Sequence, residues 1–244
     1  MKTLIIEFQT SGHYPEYLKH VLREINETGE YKDFIIYLTP TLRSHLEGLE
    51  HTDVYKSITF FDDTLASLYS SFSSTKQMAD LYYQQILEIQ KHSNFSHVLF
   101  LNLSLVIQNF NLLNPLKKLP FRFSGILMNS PYRIREQKGN RVLQLKRELP
   151  LRLLVANKSC KKILLLNDRK GVNFYKKWSS KIDFINDPVR ITSPSKLDIY
   201  DYHTIKPSAL TFLQIGKLDA YKGTLDIIDA FSNLGAEYAE KVHL

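Results

Sequence analysis

Apolar residues fall along this chain in short solid blocks, separated by longer stretches where they return at helical intervals. The blocks Thr3–Phe8, Phe34–Leu38, Ile58–Phe61, Val98–Leu103, Ser124–Met128, Lys162–Leu166 and Ile182–Ile185 have the length and composition of buried strands. The stretches between them read as helices. Pro15–Asn26 sets Tyr17, Leu18, Val21, Leu22 and Ile25 on one face, with Pro15 suited to a first turn. Thr41–Leu49 predicts a short helix. Ala66–His92 predicts a long one, with Met78, Leu81, Tyr82, Gln85, Ile86 and Ile89 at helical spacing. Val142–Ala156 reads as a basic amphipathic helix and Gly171–Ser179 as a short one.

Strands that alternate with helices in this way predict an α/β fold: a Rossmann-like, mostly parallel sheet with helices on both faces and right-handed crossovers. This domain is expected over residues 1–189. Asn186-Asp187-Pro188-Val189 breaks the pattern, and residues 190–208, with Pro194 and Pro207, read as a linker. A new strand starts at Leu210, so residues 209–244 are expected to open a second, incomplete Rossmann-like domain, too short to bury a core alone. There are no internal repeats and no low-complexity tracts.

Composition narrows the setting. Over 244 residues, 43% hydrophobic and 23% charged content is ordinary for a globular protein. The lone cysteine, Cys160, excludes an internal disulfide, fits a reducing cytoplasm and is expected as a buried thiol beside a strand. The longest apolar run, Val98–Ile107, is interrupted by Asn102 and Ser104 and is too short to span a bilayer. A secretory signal is also missing, which predicts a cytoplasmic protein, soluble or peripheral on the inner face of a membrane. The net charge of +7 is unevenly held: Arg133–Lys181 carries fifteen Lys/Arg against three acids, or +12, and leaves the remainder at −5. Such asymmetry points either to one face that meets an anion or to solvated helix faces with no partner.

The candidate chemistry lies near the end of the chain. An apolar strand from Phe212 runs into Gly216, then Lys217 and Lys222, then a helix opening at Thr224. A glycine that admits close backbone approach, two ammonium groups and the free N–H groups of a helix start together suit an anion. Two ordinary solvated lysines beside a βα turn would look the same.

Gly216-Lys217-Leu218-Asp219-Ala220-Tyr221-Lys222-Gly223 is similar to the Gly-Arg-Leu, three residues, Lys-Gly signature of retaining glycosyltransferases with two Rossmann domains (the GT-B architecture, family 4 type). Asn186-Asp187-Pro188-Val189 resembles the segment leading into that family's linker, and Thr10-Ser11-Gly12-His13 its glycine-containing first loop. The resemblance implies a hexosyltransferase that moves a sugar from a nucleotide-sugar, acting as co-substrate, to an acceptor hydroxyl, without an obligatory metal or other cofactor. Gly216, Lys217 and Lys222 would hold the donor diphosphate. Lys217 stands where the family has Arg, keeping the charge but losing the bidentate fork. Gly12 and His13 would border the acceptor, with His13 either in a catalytic role or as a surface histidine. The acceptor is expected to be a glycan or a lipid-linked molecule, as in cell-envelope or exopolysaccharide synthesis.

Two family features are missing. The fourth strand ends in Phe100-Leu101-Asn102 instead of a histidine, since His97 lies at its other end. The family's Glu-x7-Glu element would also fall beyond Leu244, so the resemblance implies a chain truncated early in its donor domain. That leaves an alternative open: a non-catalytic binding or membrane-docking fragment derived from such an enzyme.

Among the basic residues, Arg133 and Arg135 follow Pro131-Tyr132 in an expected loop at a strand's carboxyl end, within reach of an acceptor. Lys176, Lys177 and Trp178 suit an acceptor or membrane contact, although core packing would explain Phe174 and Trp178 equally well. No nucleic-acid module is visible, and no nucleic-acid partner is expected. Metal-ligand spacings, esterase motifs and P-loop motifs are likewise missing, and Asp62-Asp63 reads as a helix cap.

Overall fold

Seven strands join in one sheet in which every neighbouring pair runs parallel. They are β1 (Thr3–Glu7), β2 (Phe34–Leu38), β3 (Ile58–Phe60), β4 (His97–Phe100), β5 (Arg122–Leu127), β6 (Cys160–Leu166) and β7 (Ile182–Ile185), in the order β3-β2-β1-β4-β5-β6-β7. The computed structural model describes residues 2–12, 14–136, 141–186, 210–211 and 242–243. Side chains alternate across the sheet: Leu4, Ile6 and Phe8 enter one apolar cluster, and Ile5 enters the other. Two buried faces explain why the strands read as solid apolar blocks.

Helices cover both faces. Tyr14–Glu27 (α1) inserts Tyr17, Leu18, Leu22 and Ile25 beside Ile5 and Ile36, and Asp53–Lys56 (α2) adds Val54 to the same cluster. Asp63–Ser71 (α3) and Thr75–His92 (α4) cover the other face, where Tyr69, Tyr82, Ile86 and Ile89 pack on Phe8 and Val98. That layer continues with Leu103–Val106 (α5), Phe110–Leu113 (α6), the helix at Arg141–Ala156 and Arg169–Tyr175. The fold is α/β and Rossmann-like, as the periodicity predicts.

Three elements depart from the sequence reading. The stretch expected as one helix from Ala66 to His92 is two, because Phe72 is extended and Ser74 caps α4 by accepting from the Gln77 N–H at 3.2 Å. The strand expected to reach Leu103 stops at Phe100, and Asn102 hands the chain to α5. The expected loop after Pro131 is a helix, Pro131–Glu136 (α7), with Pro131 in its first turn, where a missing N–H costs nothing. The helix at Arg141–Ala156 is then α8 and that at Arg169–Tyr175 is α9. Asp62 does cap α3, accepting from the Leu65 N–H at 2.7 Å. Cys160 is fully buried at the start of β6, and burial pushes its thiol up to about 11.

The chain divides into two compact units, Met1–Val189 and Arg190–Leu244. In the second, Leu210–Thr211 pairs in parallel with Val242–His243. The anion-site residues Gly216, Lys217 and Lys222 lie outside the described residues, as do linker positions 190–208.

Candidate functional site at the sheet switch point

Strand order reverses between β1 and β4: the chain moves outward on one side through β2 and β3, then restarts at β4 on the other. In doubly wound sheets the carboxyl ends of such a pair splay their loops apart and leave a crevice. Here the crevice is bordered by the loop after Glu7 and by Leu101-Asn102 after β4.

Glu7 is 1% exposed, and its Oε1 accepts from the Phe8 N–H at 2.9 Å, the Gln9 N–H at 2.8 Å and the Tyr82 hydroxyl. The Tyr82 oxygen also accepts from the Phe8 N–H at 3.1 Å. Burial nevertheless raises the Glu7 pKa above its ordinary 4.5, outweighing the donors that stabilise the carboxylate. Tyr82 is pushed well above 10 by burial and then by the Glu7 charge. The carboxyl therefore fixes the backbone where β1 turns into the loop.

An aromatic box makes this turn rigid. Phe8 stacks on Phe61 at 4.7 Å and on Tyr69 at 5.2 Å, and meets Tyr82 edge-on at 5.0 Å. The Tyr69 hydroxyl donates to Gln9 Oε1 at 3.1 Å, and Gln9 Nε2 donates to Ser11 Oγ at 2.9 Å. Gly12 then turns the chain with φ +72, a left-handed conformation open to glycine and strained for most side chains. The sequence reading anticipated the need for glycine there. His13 lies outside the described residues.

Asn102 faces this loop across the crevice. It is 3% exposed; neither its Oδ1 nor its Nδ2 meets a partner at close hydrogen-bond geometry, and the Tyr14 phenol is its polar neighbour. The half-buried Tyr14 phenol lies close enough to affect and be affected: burial raises its pKa, Asn102 lowers it and Glu7 raises it again. Asn102 holds the N-cap position of α5 but makes no side-chain cap bond. Gly125 on β5 lets this turn sit close to the sheet, because a Cβ there would stand 3.0 Å from the Phe100 carbonyl oxygen and 3.2 Å from Leu103 Cβ. A buried amide this loosely held can donate to one group of a ligand and accept from another. Hydroxyl-bearing molecules offer that pairing.

The basic candidates lie on, or just after, the helices that follow β5 and β6. Arg133 sits on α7 and donates to the Leu166 carbonyl at 2.8 Å, which closes the end of β6. Arg135 lies on the same helix, its side chain outside the described residues. Lys176 pairs with Asp183 at 3.5 Å, and Lys162 with the same carboxylate at 2.7 Å. The Lys162 hydrogen bond, then that from the Phe184 N–H, bring Asp183 down to about 2. Lys177 is exposed. Trp178 is half-buried against Phe174 and Tyr175, with the Arg152 guanidinium 3.7 Å above its ring. Of the candidate residues, Gly12 alone is seen at the crevice; Glu7, Tyr14, Tyr82 and Asn102, which the sequence reading did not select as site residues, build it.

No family model, curated protein or solved structure matches the chain. Among the described residues no group of His, Cys, Asp and Glu is arranged to hold a metal ion, and no helix is long and apolar enough to cross a membrane.

Proposed function

We propose that the chain is the acceptor-side part of a two-Rossmann retaining glycosyltransferase, in which the β1–β4 crevice receives a hydroxyl-bearing acceptor. The observation that carries this reading is the buried Asn102 amide, met at close geometry by no other protein group and set beside Tyr14 and the Gly12 loop. Further support comes from the parallel sheet with its switch point and from the Gly216–Gly223 signature. In the proposed reaction the acceptor oxygen bonds to the anomeric carbon as the bond from that carbon to the donor phosphate oxygen breaks. The nucleoside diphosphate leaves with the electron pair, and the acceptor proton passes to a phosphate oxygen. Lys217 and Lys222 neutralise the departing charge. Asn102 and His13 orient the acceptor, with Glu7 and Tyr82 as positioning residues that hold the loop.

The direct test is release of nucleoside diphosphate from uridine, guanosine and adenosine diphosphate hexoses by the full chain. Release that disappears in the Lys217→Ala, Lys222→Ala double variant supports the reading. No release, or equal release by the double variant, overturns catalysis by this chain and favours a binding module.

A further inference from the structure

At the opposite edge of the sheet, where the strands begin, a groove of about 670 Å³ opens between the loop before β5 and the turn before β6. Its lining includes Lys117, Lys118, Arg122, Lys158 and Lys161, and no carboxylate. None of the five takes part in an ion pair among the described residues. Lys162, next to Lys161 in sequence, instead pairs with Asp183 on β7 at 2.7 Å. Its field reaches His97, which burial and then Arg122 and Lys161 hold below the ordinary 6.5.

An apolar side chain projects from the same surface. Leu116, between Pro115 and Lys117, is 93% exposed and lines the groove. Lys117 beside it donates to Asn111 Oδ1 at 2.5 Å. An isolated phosphate or a nucleic-acid backbone would satisfy the cations but give Leu116 nothing to bury against. A bilayer with anionic headgroups satisfies both, with phosphates for the lysines and an acyl boundary for the leucine.

We propose that this amino edge is a docking surface for an anionic lipid bilayer, with Leu116 entering the headgroup–acyl boundary and the five cations meeting lipid phosphates. Trp178 does not line this groove; its ring packs against Phe174 and Tyr175 under the Arg152 guanidinium. Docking here sets the β1–β4 crevice on the far side of the sheet, about 20 Å from the bilayer by strand length, and so open to water. The surface stands or falls independently of sugar transfer.

The test is co-sedimentation of the full chain with phosphatidylcholine vesicles, with and without about a third phosphatidylglycerol. Retention is expected on the anionic vesicles only, and weaker at high salt. Lys117→Glu with Lys118→Glu is expected to weaken it by about tenfold or more. Leu116→Asp is expected to do the same with an unchanged thermal melt, since the side chain makes almost no contact in the domain. A Leu116→Trp variant, read against the single native Trp178, is expected to show blue-shifted emission on anionic vesicles. The proposal is overturned by retention that is absent, equal on neutral vesicles or insensitive to Leu116→Asp, or by no emission shift. It is also overturned if a single-stranded oligonucleotide binds through the same lysines more tightly than the vesicles do.

Discussion

Glu7 turns its carboxyl back onto its own chain, and two consequences follow for the single side chain. Glu7→Ala removes an acceptor shared by three donors, two of them buried, so a loss of about 2–4 kcal/mol in chemical denaturation is expected. Glu7→Gln keeps an oxygen in place and should cost less. Because the folded-state pKa of Glu7 is raised, the folded state holds the proton more tightly than the unfolded chain. Its contribution to stability is complete below pH 4.5 and is lost as pH rises through the folded-state value. Denaturation curves between about pH 4 and pH 8 should therefore decline less in Glu7→Gln than in the parent, and superimposable profiles would contradict the assignment. Asn102 behaves in the opposite way. Asn102→Leu replaces poorly met polar atoms by a side chain of similar size and is expected to leave the fold at least as stable, by up to about 1 kcal/mol, while removing acceptor binding. Neither role was legible beforehand. Glu7 closes an apolar block, and its partner Tyr82 lies 75 positions away, a distance that no local pattern bridges.

Among the elements, the strands were the most readable, since a parallel strand buried on both faces leaves a solid apolar block in the sequence. Phe34–Leu38 and Ile182–Ile185 fall where the pattern puts them. Helix continuity was less readable. The apolar rhythm of α4 extends backward into α3, and helical spacing alone does not register that Phe72 turns extended while Ser74 accepts a cap bond. Composition held the clue, because Ser70, Ser71, Ser73 and Ser74 crowd the junction and serine competes for backbone hydrogen bonds. Ser74→Ala is expected to lower stability by about 1 kcal/mol, measured by thermal or urea unfolding, and an unchanged midpoint would argue that the junction is held by packing alone. The end of β4 misled for a related reason: Leu101 and Leu103 continue the apolar run, while Asn102 between them is a cap-forming residue type.

At the scale of the whole molecule, one sheet carries two unlike edges. The carboxyl edge holds a buried carboxyl, tyrosines and a buried amide; the amino edge holds a groove lined by five cations and no carboxylate. The fold class followed from alternation alone, but the crevice depends on strand order, which is set by long-range pairing and leaves no local mark. The uneven charge was visible as a count; its division between edges was not, since Lys117, Lys118 and Arg122 precede the basic segment in sequence yet join Lys158 and Lys161 in space. Sugar transfer requires the chain to bind the product that leaves the donor. The most direct measurement is calorimetric titration of the full chain with uridine, guanosine and adenosine diphosphates, alongside the Lys217→Ala, Lys222→Ala double variant. Saturable binding of at least one diphosphate at millimolar or lower concentration, lost in the double variant, is the expected result; no heat of binding from any of them at millimolar concentration would contradict it.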